Sequence, residues 1–162
     1  MALIPRGGDK PQKGYVGTWA NMEEDNAQTA FAASSFAAGV PVTYGSVEGT
    51  VTPLTSGNRF AGIALANVDM AGTPLSDGTK TFGANELLGV ADMGCVFVLA
   101  GAGVVKGAPA FYEVATRKFH GTSATGRLIL TDVEFDESAA NGAVVPLRIR
   151  ITPGAAVVAA AT

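Results

Sequence analysis

Leu87–Tyr112, LLGVADMGCVFVLAGAGVVKGAPAFY, is the stretch whose reading decides the fold. It reads as strand, tight glycine turn, strand. Cys95–Ala100 is an unbroken apolar run rich in β-branched and aromatic residues, the types that suit a pleated, buried surface. Gly101-Ala102-Gly103 is expected to supply the positive φ angles of a tight reversal, because glycine has no Cβ to clash there. Val104-Val105 resumes the extended chain. Lys106-Gly107-Ala108-Pro109 then makes a second corner before Ala110-Phe111-Tyr112. Such a unit builds a β core and carries no evident chemistry.

Working outward, the same texture continues. Val40–Tyr44, Val47–Leu54, Arg59–Ala66, Glu86–Ala91, Ala108–Val114, Arg127–Phe135 and Val144–Ile151 all read as short strands. Met70–Lys80 reads as a polar, turn-rich loop. Strands at this spacing with no long helix between them predict a mainly β fold. The expected form is one compact sandwich or barrel-like domain, β-tulip-like, over residues 31–152. An extended N-terminal arm and at most one short helix occupy 1–30, and an apolar tail occupies 153–162. Asn21–Phe36 carries the helix question. Asn21 can cap, and Glu23, Glu24 and Asp25 suit a first turn. The Asn, Gln, Ser and Thr content equally suits an irregular loop.

Two corners echo each other. Gly39-Val-Pro41-Val-Thr-Tyr44 and Gly107-Ala-Pro109-Ala-Phe-Tyr112 share Gly-x-Pro-apolar-x-Tyr. Glycine makes the corner, and proline fixes φ where a strand begins. Gly39, Pro41, Gly101, Gly103, Gly107 and Pro109 are therefore structural turn residues. The echo admits an approximate internal symmetry.

The clearest hairpin lies near the end. Asp132, Glu134 and Asp136 alternate with Val133 and Phe135, while Arg148 and Arg150 alternate with Leu147, Ile149 and Ile151. Period-2 alternation places acids on one face of the first strand and arginines on one face of the second. Antiparallel pairing would put both apolar faces on the core and set Asp132 and Glu134 against Arg148 and Arg150 outside. The three acids could ligate Ca²⁺, but parallel side chains do not converge on one point, so a solvated or arginine-paired face is the better reading.

Composition limits function. The formal charge is −3 and charged residues make up 15%, which argues against a nucleic-acid binder and suits a surface packed on copies or partners. Twenty-eight residues are alanine and 21 are glycine, so side-chain bulk for a private core is moderate. Cys95 is the sole cysteine and reads as a buried, inert thiol. No segment approaches the roughly 20 apolar residues of a membrane span, and the opening MALIPRGGDK lacks the apolar region of a secretion signal, so the chain is expected to be made in the cytosol. His120, the sole histidine, reads as a surface residue in a polar loop, Arg117–Gly126, with no acid close by in sequence.

Gly101-x-Gly103-x-x-x-Gly107 cannot serve as a phosphate loop, because Val-Val-Lys-Gly-Ala-Pro does not open a helix. Lys106, between Val105 and Gly107, lacks the setting of a carrier lysine. No catalytic, cofactor-binding or metal-binding residue emerges. Within residues 1–20, Pro and Gly deny regular structure, leaving Leu3, Ile4, Arg6, Tyr15 and Trp19, with Phe31 beyond, as candidate interface anchors.

Taken together, FAAGVPVTY (36–44), FAGIAL (60–65), LGVADMGCVFVLA (88–100), VKGAPAFY (105–112) and FDESAANGAVVPLR (135–148) resemble the structural cement, or capsid decoration, proteins of tailed bacteriophages. The resemblance covers roughly residues 30–151. It implies a non-enzymatic β domain on the outer surface of an icosahedral virion, partnered by the major capsid protein and by itself, usually as a homotrimer. It implies no cofactor, nucleic acid or membrane. Another phage structural component, or less readily a small carrier or enzyme domain, is the competing reading.

Overall fold

The computed structural model of the protein describes residues 14–21, 24–66, 81–152 and 158–160. Leu3, Ile4, Arg6 and the Met70–Lys80 loop lie outside the described residues. Among the described residues eleven strands run in chain order: β1 (Asn26–Ala32), β2 (Phe36–Ala37), β3 (Pro41–Tyr44), β4 (Thr50–Pro53), β5 (Gly62–Leu65), β6 (Thr81–Phe82), β7 (Leu87–Leu99), β8 (Pro109–Glu113), β9 (Lys118–His120), β10 (Arg127–Phe135) and β11 (Val144–Arg150). The described residues contain no helix, and the fold is all-β.

β7 organises the molecule. Glu86–Ala91 and Cys95–Ala100, expected as separate strands, form one strand of 13 residues, about 43 Å at the usual rise. Its first part lies between β1 and β5, with Ala91 opposite both Ala27 and Ile63. Its second part pairs antiparallel with β11. On its other side run Gly17–Ala20: Gly17 N–H donates to Phe97 O (2.7 Å), Phe97 N–H to Thr18 O (2.9 Å) and Ala20 N–H to Cys95 O (2.8 Å). Cys95–Val98 is buried throughout. A strand covered on both faces needs no polar alternation, which explains the unbroken apolar run.

The two corners with like sequence belong to two halves built on one plan. The first half is a closed ring, β1-β4-β3-β5-β7 and back to β1. The second runs β7-β11-β10-β8-β9 and closes through a parallel bridge from Ala100 to Phe119. That bridge matches the parallel pair Ala32–Val51 of β1 and β4, at a spacing of 68 residues. Hydrogen bonds match one for one. Ala32 exchanges bonds with Asn85 and Glu86, and Ala100 does so with Gly142 and Ala143. Ala33 N–H donates to Val51 O, and Gly101 N–H to Phe119 O. Gly39 N–H donates to Ala64 O, and Gly107 N–H to Phe135 O. Left-handed residues recur in pairs as well: Gly39 and Gly107, Gly49 and Arg117, Gly57 and Gly126, Asn85 and Gly142. β7 closes the first ring and opens the second. One apolar cluster runs through both, from Val42, Leu54 and Ile63 to Phe119, Phe135 and Leu147.

Three local expectations change. The Asn21–Phe36 segment is neither helix nor loop over Asn26–Ala32: it is β1, with Ala30 and Ala32 inward. Backbone pairing to β7 overrides the weak helical signs. Gly101 and Gly103 do not adopt positive φ, whereas Gly39 (75°) and Gly107 (80°) do. Pro41 and Pro109 each open a strand two residues after such a glycine. Finally, part of the presumed loop Arg117–Gly126 is β9, hairpinned on β8.

Candidate interaction surfaces

The sheet alternation of β1 turns Ala27, Thr29 and Phe31 outward. Phe31 stands opposite Leu87 across the β1–β7 ladder, and both are 48% exposed. The Phe31 N–H donates to Gly49 O, which brings the β3–β4 hairpin alongside with exposed Tyr44 and Val47. Phe31 stood out in the sequence as a candidate, and it is exposed. Leu87, Tyr44 and Val47 did not stand out, because exposure of an apolar strand residue depends on which neighbour covers it.

The equivalent face of the second half is covered. Residues 95, 97 and 99 correspond to 27, 29 and 31. There Gly14 lies against the Phe97 ring and Trp19 against Gly94. Trp19 bridges Val96 and packs on the core, while Tyr15 stays exposed. Trp19 therefore holds this segment to its own domain.

A second surface is the outer face of β10 and β11. Val133 stands opposite Ile149, Glu134 opposite Arg148 and Phe135 opposite Leu147. Val133, Phe135, Leu147 and Ile149 are buried. The closest charge contact is one step off the expected rung: an Arg148 Nη2–H donates to Asp136 Oδ1 at 2.8 Å, with Lys106 Nζ 3.9 Å from the same oxygen. Asp132 sits at φ 60° and accepts from Thr152 Oγ1 at 3.2 Å, since the strand is irregular between Ile129 and Glu134. Arg148 and Arg150 line an open groove with Gly107, Pro109 and Asp132.

His120 departs from its expected place. It is 4% exposed, on β9, with Nε2 3.0 Å from Glu113 Oε2. The hairpin brings an acid seven residues back into contact, a pairing that sequence proximity alone does not reveal. Burial first, then Arg127, holds the imidazole pKa below its ordinary value, against the pull of Glu113. Glu113 is itself held low, chiefly by the Thr116 hydroxyl. A neutral ring therefore donates Nε2–H to the carboxylate. Burial pushes the neighbouring Tyr112 phenol up to about 12, with its ring 5.0 Å from that of Phe119. Among the described residues no His, Cys, Asp and Glu side chains group in a way that could hold a metal ion.

A family model described as structural cement protein (E217 gp24/Pam3 gp6) matches residues 5–150. The chain belongs to this phage cement family. The cement protein is a structural component of a phage virion. Its fold is shared with a chain from the capsid of Myoviridae phage XM1, at 20% identity and a TM-score of 0.66, covering 92% of this chain and 95% of that one. The head fibre gp8.5 N base of bacteriophage phi29 is more distant, at 16% identity and a TM-score of 0.48 over 78% of this chain and 94% of that one. No curated protein sequence matches the cement protein.

Proposed function

We propose that the protein binds the outer surface of an icosahedral phage head and ties neighbouring major capsid protein subunits together, as a homotrimer. It is made in the host bacterial cytoplasm and resists rupture under the pressure of packaged DNA. The observation that carries this reading is the cement-family match over nearly the whole chain. The exposed Phe31–Leu87 face supports it, because paired bulky apolar residues on an outer sheet face suit a protein partner. Multivalency supplies the mechanism. Three modest contacts held in one trimer act at high effective concentration, so each shell subunit is retained by more than its own interface.

The test is co-sedimentation with expanded, mature-like shells against unexpanded ones, followed by heating of decorated and bare heads. Decoration of expanded shells and later DNA release on heating are expected. Failure to bind either shell would refute the proposal. A truncation used here should begin after residue 13, because Gly17–Ala20 belongs to the β7 ladder.

A further inference from the structure

The likeness of the two halves exposes one difference between them. In the second half, the outer edge of β7 is closed by a strand-like segment: the N–H and C=O of Phe97 and the C=O of Cys95 bond to Thr18, Gly17 and Ala20. The matching groups in the first half are the N–H and C=O of Thr29 and the C=O of Ala27. Bonds from Phe31 N–H to Gly49 and from Ala33 N–H to Val51 show that odd-numbered residues of β1 point their backbone away from β7. Among the described residues, Ala27 and Thr29 have no main-chain partner on that side. Their side chains are exposed, as is Phe31 beside them. Unpaired strand groups of this kind are a template for another strand.

We infer that this edge of β1 receives an extended segment from residues 1–13 of a second copy, added as an antiparallel strand at Ala27–Thr29. The inference rests on the homotrimer reading above. The occupant is argued from the chain itself. The polypeptide seated on the equivalent edge is this chain's own Gly17–Ala20, and 13 residues precede Gly14. Fully extended, they reach about 43 Å, enough to leave one domain for the next. Ala2-Leu3-Ile4 is the apolar part of that segment and suits the Phe31–Leu87 face. Donor arm and acceptor edge are different surfaces, so the contact is head-to-tail, and it gives a ring of three when the rotation between copies closes.

Light scattering of the full chain and three variants tests this. Thr29→Pro removes the docking N–H, which has no main-chain partner among the described residues, and proline is tolerated where an edge N–H faces outward. Thr29→Val keeps that N–H. The third variant lacks residues 2–13. The full chain and Thr29→Val are expected to run as a trimer. Thr29→Pro and the truncation should run as single chains with unchanged circular dichroism. A monomeric full chain at every concentration overturns the inference, as does a trimer that survives either Thr29→Pro or the truncation.

Should Thr29→Pro unfold, Leu3→Cys with Thr29→Cys decides the matter. An intermolecular disulfide supports the arm exchange, and its absence under oxidation overturns it. Co-sedimentation keeps the cement reading separate. Shell binding by the single-chain variants leaves that reading standing, whereas failure of the full chain to bind shells refutes it without touching the oligomer result.

Discussion

Replacing Gly101 by alanine tests the equivalence of the two halves. Gly101 has no left-handed φ to protect, so the cost is purely steric. A Cβ there would run into Cε1 and Nε2 of His120 and would lie 2.9 Å from Lys118 Cβ. The backbone is pinned by the Gly101 N–H bond to Phe119 O at 2.7 Å, so the ring must give way. Over-packing of this kind costs about 1–3 kcal/mol. Displacing the ring also strains the 3.0 Å bond to Glu113. The expected loss is about 1–3 kcal/mol, or roughly 2–12 °C in Tm for a chain of this length.

The first half supplies the remedy. There the matching pair is Ala33 and Thr52, and Ala33 is accommodated at the same hydrogen bond, to Val51 O. His120→Thr should cost about 1–3 kcal/mol alone through lost packing. Combined with Gly101→Ala it should cost less than the sum, with a coupling of about 1–2 kcal/mol. Urea unfolding followed by circular dichroism measures all four proteins. A Gly101→Ala variant within about 0.5 kcal/mol of the parent, or a strictly additive double variant, would refute the reasoning.

Further outcomes can be checked on the same protein. Arg148→Met should destabilise by about 1 kcal/mol through loss of the Asp136 contact, with part of the loss masked in high salt; equal stability in both salts would count against it. Phe135 and Asp136 amides, bonded to Ala108 and Pro146 on either side of the strand, should exchange slowly by NMR, and fast exchange would contradict the ladder. Stability should fall as pH drops. His120 is held low in the folded state, so the unfolded chain takes up a proton first below about pH 6.5. The Glu113 contribution is present above about pH 4.3 and is lost as pH falls through its lower folded value. A Tm that is flat from pH 7 to 5 would contradict the burial of His120. Cys95, 1% exposed, should resist thiol reagents until unfolding, and rapid labelling would contradict its burial.

Local chemistry already fixed much of this protein. The β class followed from short apolar runs and glycine–proline corners, because φ restrictions at Gly39-Val-Pro41 and Gly107-Ala-Pro109 act on each residue alone. The inward faces of β10 and β11 followed from period-2 alternation, which is equally local. The likeness to cement proteins was legible from the same short motifs, and the family model spans them over residues 5–150. What tertiary structure decided were the matters that depend on a distant neighbour. β1 became a strand because β7 offers it a ladder. The Cys95–Val98 run of β7 stays apolar because the segment that pairs along its edge also lays Gly14 on the Phe97 ring and Trp19 on Gly94. His120 is buried because the hairpin returns it to Glu113 and Gly101. Only four identical residues link the matched stretches 26–53 and 94–121, at Ala32, Gly39, Pro41 and Tyr44. The doubling of the fold therefore shows in backbone hydrogen bonds, which constrain geometry without requiring particular side chains.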